Sequence, residues 1–419
     1  MRFKEQVTNN RSIIESFLSL SILNGLNLLL PLVTLPYLLR VIGPEKYGIY
    51  SFVYVIIQYL LLLSSYGFNF SATKQVSQYR DNINEVSRIY IGVITARLLL
   101  TFIGLILFSL ISFYVLKSKE EFNVFEMGVG IVLGDIFIPV WLFQGMEKMR
   151  YLTLVNVISK IVFTILIFFV IISPEDYKYI ILLNSLGYVA AGICSTIIVK
   201  RFFKINFFIP SWNDIWFQLR DGFHVFGSTL SMNLYRNSNI FILGLFANDA
   251  SVGIYSAAEK LIKALQGILS PVAEALFPHL GYKFQKNKDV KDSVRQLNRF
   301  IRPYAVLLFF LFLLVLIFAP FLSNILLGKS FFDSIPLIRI MSLVIVVGGL
   351  NYVLGIVGLI NLNKQSLFFR NVIISGVIGI LVMLFLVHSL TFYAGAISMV
   401  LSELILFILC TRSLYLIGR

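Results

Sequence analysis

Long apolar runs alternate with short polar segments along almost the whole chain. Twelve of these runs are long enough to cross a bilayer, since a helix needs about 20 apolar residues to do so. They lie near residues 14–39, 48–67, 89–116, 123–143, 151–172, 178–199, 222–247, 252–278, 301–327, 335–361, 367–388 and 392–412. The pattern predicts an all-α polytopic membrane protein with twelve transmembrane helices.

A short motif occurs twice, once in each half of the chain. Residues 47–51 read YGIYS and residues 252–256 read VGIYS, so that the copies are 205 residues apart. Six similarly oriented helices in each half predict two pseudo-equivalent bundles around a central cavity, an arrangement found in many carriers. The expected lobes are residues 1–200 and 222–419, joined by a cytoplasmic linker at 201–221.

The composition excludes a soluble globular protein, and the charge distribution predicts the topology. Hydrophobic residues make up 58% of the chain and charged residues only 13%, about half the charged fraction of a typical soluble protein. Most of the Lys and Arg residues fall on one side of the predicted helices, and the positive-inside rule makes that side cytoplasmic. Both termini are therefore expected in the cytoplasm. The net charge of +14 reflects this topology, so nucleic-acid binding is not expected.

Four segments resemble the signatures of one membrane-protein family. They are 35–50 (LPYLLRVIGPEKYGIY), 66–73 (YGFNFSAT), 141–148 (WLFQGMEK) and 252–261 (VGIYSAAEKL), the last followed by Pro271, Pro278 and His279. Through these segments the chain is similar to the O-antigen and capsule repeat-unit flippases of the Wzx type. The resemblance implies the multidrug/oligosaccharidyl-lipid/polysaccharide exporter fold, in which spans 1, 2, 7 and 8 face the cavity. It also implies translocation of an undecaprenyl-diphosphate-linked oligosaccharide across the inner membrane of a bacterium.

Ionisable residues inside a span are costly and therefore mark candidate functional sites. Arg236 lies near the middle of span 7, in a polar island formed with Tyr235, Asn237, Ser238 and Asn239. A guanidinium group can bind a diphosphate bidentately, and the amides can bind sugar hydroxyls. The alternative is a structural ion pair between Arg236 and a carboxylate of a neighbouring helix.

Span 8 carries a second charged group. Glu259 and Lys263 have the i,i+4 spacing of an intrahelical ion pair. In the alternative hypothesis Lys260 or Lys263 attracts the diphosphate, and Glu259 titrates. Glu274 extends this polar line as another candidate for ion coupling, and Pro271 is expected to bend the helix.

The first half has its own intramembrane charges. Arg97, Asp135 and Lys160 lie on spans 3, 4 and 5, and their signs favour a structural bridge from Asp135 to Arg97 or to Lys160. The alternatives are Arg97 as a substrate-binding cation and Asp135 as a proton or cation site. Glu403 on span 12 is expected to be hydrogen-bonded.

The sequence shows no nucleophile–base set, phosphate-binding loop or metal-ligand cluster, so neither an enzyme nor a bound cofactor is expected. Together with the resemblance, the intramembrane charges favour a flippase that works by alternating access for O-antigen or capsule biosynthesis, with H⁺ or Na⁺ as the expected coupling ion. Its expected partners are a polyprenyl-diphosphate-linked oligosaccharide, membrane lipids, a glycan polymerase and a chain-length regulator. Two alternatives stay open: a cation-coupled multidrug antiporter of the same fold, and a non-transporting scaffold of a glycan assembly complex.

Overall fold

The computed structural model describes the backbone of residues 2–286 and 290–417. Side chains are described at 25 and 30 and from 33 to 417, except at 113, 224, 228, 231, 232, 234–236, 268, 270–272, 274, 275, 278, 279 and 285–289. Over the described backbone the chain is helical and contains no β-strand. The predicted all-α class is confirmed.

Fourteen α-helices cover most of the described chain, and the predicted spans lie largely within them or within the short helical segments between them. The α-helices are α1 (Arg2–Ser65), α2 (Phe68–Gln78), α3 (Ile83–Val115), α4 (Lys119–Ile136), α5 (Val140–Gly145), α6 (Met149–Val170), α7 (Tyr177–Phe202), α8 (Trp212–Phe246), α9 (Asp249–Lys286), α10 (Val290–Leu322), α11 (Ser334–Met341), α12 (Leu343–Asn351), α13 (Gln365–Leu390) and α14 (Phe392–Ile417). Short 3₁₀ or π segments lie at Pro174–Asp176, Ser323–Leu327, Lys329–Phe331 and Tyr352–Ile360.

By length and composition, nine helical segments of the described residues can cross a membrane. The predicted spans at 14–39, 222–247 and 252–278 include side chains outside the described set, and their backbones lie in α1, α8 and α9. The chain is therefore a multi-pass membrane protein.

Three predicted spans differ in detail from the helices. The span at 123–143 is interrupted between α4 and α5, because Pro139 has no N–H to continue the helix. The span at 335–361 is divided into α11, α12 and a π-helical segment. The span expected to begin at 301 begins earlier, since α10 starts at Val290.

The chain divides into two compact units. Unit 1 consists of Met1–Tyr37 and Val53–Asn233, and unit 2 of Leu38–Phe52 and Leu234–Arg419. The core of unit 1 is a cluster of buried side chains that includes the fully buried Trp141. The predicted lobe boundaries stay a prediction.

The segment that joins the halves folds against unit 1. The Asp214 N–H donates to Ser211 Oγ at 3.3 Å and so begins α8, and Arg88 of α3 binds the Asp214 carboxylate at 2.5 Å. Burial alone would raise the pKa of Asp214, but the hydrogen bonds from Ser211 and Arg88 outweigh it and hold that pKa below its usual value. Further along, the Gln75 amide donates to Asp221 at 2.8 Å.

Unit 2 contains both copies of the repeated motif, and their backbones approach closely. A Cβ atom at Gly48 would lie 1.8 Å from the carbonyl oxygen of Asp249, and one at Gly253 would lie 1.8 Å from that of Pro44. No side chain fits at such distances, so both motif glycines are required by packing.

Candidate functional site

The carboxylate of Glu259 is the centre of a polar group in unit 2. Its Oε1 lies 2.9 Å from Lys263 Nζ, one helical turn further along α9. The Glu259 side chain is 5% exposed and the Lys263 side chain 42%. The predicted i,i+4 pair is confirmed, and it compensates the charge of a buried carboxylate.

Uncharged side chains extend this group from Glu259 across three helices. Tyr255 lies one turn before Glu259 and donates its hydroxyl to the carboxylate at 3.5 Å. Asn239 of α8 donates to that hydroxyl at 3.1 Å and accepts from Ser398 of α14 at 3.1 Å. We call Ser398, Asn239, Tyr255, Glu259 and Lys263 the polar chain. All five residues belong to unit 2.

Tyr255 and Ser398 were not among the predicted functional residues. The sequence does contain one indication for Tyr255, because this residue is kept in both copies of the motif. It contains none for Ser398, because serine is common in apolar helices and the partners of Ser398 come from distant parts of the chain.

Lys260 differs from Lys263 in its partners. Its ammonium lies over two aromatic rings, 5.1 Å from the ring centre of Tyr47 and 5.5 Å from that of Tyr50. Among the described residues no carboxylate forms an ion pair with it. The side chain is half-buried, and no described carboxylate compensates it.

The polar island of α8 is described only in part. The backbones of Tyr235 and Arg236 lie in α8, but their side chains are outside the described residues, as is the side chain of Glu274 in α9. Asn237 is half-buried. Asn239 is 8% exposed and is held by the protein itself, since its amide nitrogen also approaches the Gly395 carbonyl at 3.3 Å. Substrate contacts at these residues stay predictions.

Unit 1 contains a separate buried ion pair. Arg97 is 3% exposed; it pairs with the Asp135 carboxylate and donates to the backbone carbonyls of Asp135 at 2.9 Å and Ile136 at 3.2 Å. These carbonyls are released where α4 ends, so Arg97 both neutralises Asp135 and caps the helix. The structural bridge from Asp135 to Arg97 is confirmed.

Two other intramembrane or interfacial charges also have protein partners. Glu403 Oε2 accepts from Asn351 Nδ2 at 2.7 Å, as expected for a hydrogen-bonded carboxyl group. Arg40 donates to the backbone carbonyl of Ile325, in the π-helical segment Ser323–Leu327 that follows α10. Within the described side chains, no three His, Cys, Asp or Glu residues are placed to hold a metal ion.

Two solved structures show the fold. The chain is similar to an inward-facing MATE transporter of the MOP superfamily, with a TM-score of 0.73, 13% identity and coverage of 93% and 95% of the two chains. It is also similar to the lipid II flippase MurJ in an inward closed conformation, with a TM-score of 0.71, 14% identity and coverage of 96% and 87%. The fold is therefore that of a two-lobe, twelve-helix membrane transporter.

The family follows from the sequence comparison. A protein of Escherichia coli K12 named as an O-antigen transporter is 29% identical over 401 residues, which cover 94% of this chain and 95% of that protein. The family model described as "Polysaccharide biosynthesis protein" matches residues 13–284. This chain belongs to that family. The relative is named as a transporter, and the protein is not an enzyme.

Proposed function

We propose that this protein is a flippase that moves undecaprenyl-diphosphate-linked oligosaccharide repeat units across the cytoplasmic membrane by alternating access. The translocated repeat units would be used to build O-antigen or capsule polysaccharide. The observation that carries the proposal is the Lys260 ammonium, a half-buried cation on an apolar helix that contacts aromatic rings and no described carboxylate. An anionic phosphate compensates such a charge, and the relative named as an O-antigen transporter supports this substrate class.

The other cations divide between substrate and structure. Arg97 and Lys263 each have a carboxylate partner, so we assign them to the stability of their units. Arg236 stays a candidate for the second phosphate, because a guanidinium forms two parallel bonds to phosphate oxygens. Tyr235 and Asn237 would contact the sugars beside it.

Coupling to H⁺ or Na⁺ is proposed at Glu259. Its carboxylate lies in the polar chain between Tyr255 and Lys263, and is paired with Lys263. Protonation of Glu259, or Na⁺ binding to it, would break this pair and alter the hydrogen bond from Tyr255. Both changes would occur next to Lys260, which follows Glu259 in α9. Asp135 and Glu274 are the alternative coupling sites.

A cation-coupled multidrug antiporter is the second candidate, because the MATE transporter shares the fold. A cationic drug requires a carboxylate without a partner. In the described part of the chain, Glu259 and Asp135 are both paired with cations. The geometry therefore favours an anionic substrate.

The cellular setting is part of the proposal. The protein would lie in the inner membrane of a bacterium with both termini in the cytoplasm, because the basic loops fall on that side. A glycan polymerase and a chain-length regulator would receive the translocated repeat unit. Reporter fusions after Arg419 test the orientation of the C-terminus.

Genetic complementation tests the function. A host that lacks the gene is expected to accumulate lipid-linked repeat units and lose surface glycan, and the wild-type gene should restore both. Lys260→Glu should fail to restore export while the protein stays in the membrane, because a carboxylate repels the diphosphate. Lys329→Glu is the matched control, since this lysine is exposed and outside the site. Full export by Lys260→Glu would favour the scaffold hypothesis instead.

A further inference from the structure

The ammonium of Lys260 has two possible partners, and the structure shows which one it takes. Glu259 is its neighbour in sequence, and a lysine stem is long and flexible enough to turn toward a nearby carboxylate. Consecutive residues point about 100° apart around a helix, so reaching Glu259 requires Lys260 to fold back along α9. Instead its Nζ lies over Tyr47 and Tyr50.

The two tyrosines form a fixed surface. Their ring centres are 6.0 Å apart, and Tyr47 also packs edge-on against Phe331 at 6.4 Å. Tyr47 and Phe331 are fully buried and Tyr50 is 7% exposed. Rings packed in this way have little freedom to move, so the position of the cation above them is defined.

Aromatic faces hold a cation differently from a carboxylate. A ring attracts an ammonium through its quadrupole and carries no net charge. Two rings therefore do not neutralise an ammonium as a carboxylate does, and the N–H groups directed away from the rings stay available to another acceptor. Lys263, by contrast, is neutralised by Glu259 at 2.9 Å.

We infer that Tyr47 and Tyr50 are positioning residues, which hold the Lys260 ammonium apart from Glu259 and present it to a phosphate group of the substrate. The inference rests on the proposed function and deepens it, because it selects Lys260 over Lys263 as the phosphate-binding lysine. It also gives the first copy of the motif a role in the site. Tyr50 and Tyr255 are equivalent in the repeat; Tyr50 contacts Lys260, and Tyr255 contacts Glu259.

Binding to the purified full-length protein in detergent tests the inference. Farnesyl diphosphate is the probe, and farnesol is the matched control that lacks the charge. Lys260→Met should weaken farnesyl diphosphate binding by about tenfold or more, the scale of one charge-assisted contact. Tyr50→Leu, which removes the ring, should weaken it several-fold, and Tyr50→Phe, which keeps the ring, should leave it near the wild-type value.

A double variant separates positioning from a merely structural role. If Tyr50 acts through Lys260, Tyr50→Leu should have no further effect on farnesyl diphosphate binding in a Lys260→Met background. Farnesol binding and a single size-exclusion peak should be unchanged in every variant, which shows that the protein is folded. Tyr50 is used because it reaches the surface slightly (7% exposed), whereas Tyr47 is fully enclosed and removing its ring would leave a larger cavity.

Three results would overturn the inference. They are equal losses for Tyr50→Phe and Tyr50→Leu, an additional loss for Tyr50→Leu in the Lys260→Met background, and a larger loss for Lys263→Met than for Lys260→Met. None of these decides the proposed function, which is tested separately by glycan export in the complemented host. A wild-type protein that binds farnesol as tightly as farnesyl diphosphate would count against both.

Discussion

The side-chain oxygens of Ser51 and Ser256 lie 3.1 Å apart, and the two residues occupy the same position in the two copies of the repeated motif. The contacts of Gly48 and Gly253 are reciprocal in the same way, since each faces a backbone carbonyl close to the other copy. Exchanged contacts of this kind are produced by a local two-fold relationship between two equivalent segments. The two copies of the motif therefore pack against each other.

Substitution of a motif glycine should disrupt this contact. In Gly48→Ala or Gly253→Ala the new methyl group would lie 1.8 Å from a backbone carbonyl oxygen, which has no side-chain freedom to move away. We expect either variant to lower the melting temperature in detergent strongly or to prevent recovery of folded protein.

Gly227→Ala is the control, because a Cβ there meets no atom within 4 Å. In a helix interior this change should be neutral or stabilise by roughly 0.5–1 kcal/mol. Equal melting temperatures for Gly48→Ala and Gly227→Ala would contradict the packing argument.

The buried pair in unit 1 gives the second prediction. Arg97→Met removes the partner of Asp135 and the donor to two carbonyls at the end of α4. Leaving a fully buried charge without a partner costs about 3–5 kcal/mol, and the cost should be lower for Asp135, whose side chain is 27% exposed. We therefore expect a large fall in the free energy of unfolding, measured by denaturation in mixed micelles. The exposed pair of Arg80 with Glu147 is the control, and Arg80→Met should cost at most about 1 kcal/mol.

A double variant refines this prediction. Arg97→Met combined with Asp135→Asn removes both charges, so part of the stability lost in Arg97→Met should return. The carbonyl groups at the end of α4 would still lack their donor, and full recovery is not expected. No recovery at all would show that capping of α4, and not the ion pair, is what Arg97 contributes.

These examples show which parts of the site the sequence could predict. Glu259 with Lys263 and Asp135 with Arg97 were expected, because an ionised group in an apolar helix needs a partner and few partners exist. Asn351, the donor to Glu403, was not expected, because an uncharged amide has many possible partners. The motif repeat predicted two similar halves, but contact between its copies depends on tertiary packing that spacing does not encode.

The same distinction applies to the fold. Apolar runs predicted where the long helices lie, since the length of a run reflects the thickness of the bilayer, and nine helical segments of the described residues can cross a membrane. The π-helical segment Tyr352–Ile360 could not be predicted, because its apolar sequence has no charged residue or proline to mark it. By contrast, the break between α4 and α5 has a signal in Pro139, which lies inside the span predicted at 123–143.

The pairing of Arg88 with Asp214 predicts a pH-dependent contribution to stability. The pKa of Asp214 is lower in the folded protein than its usual value. Its stabilising contribution is therefore complete above the usual Asp pKa and is lost as the pH falls through the lowered one. Arg88 is 55% exposed, so the contribution at neutral pH should be only about 0.2–1 kcal/mol.

Asp214→Asn measures this contribution. The variant should be slightly less stable than the wild type at neutral pH, and the difference should shrink as the pH is lowered toward about 3. Asp292→Asn, which removes an exposed pair with Arg295, should change stability little at any pH. A difference that grows on acidification would contradict the assigned direction.

The final prediction concerns energy coupling at Glu259. Glu259→Gln keeps an oxygen that accepts from Tyr255 but removes the charge paired with Lys263. If this carboxylate is the coupling site, transport of a lipid-linked oligosaccharide in proteoliposomes should lose its dependence on the H⁺ or Na⁺ gradient, while passive equilibration continues. Glu126→Gln, which changes an exposed carboxylate on α4, should keep the gradient dependence of the wild type.

If transport by Glu259→Gln still depends on the gradient, the coupling site would instead be Asp135 or Glu274. Wild-type transport that is unchanged when both gradients are collapsed would exclude ion coupling altogether.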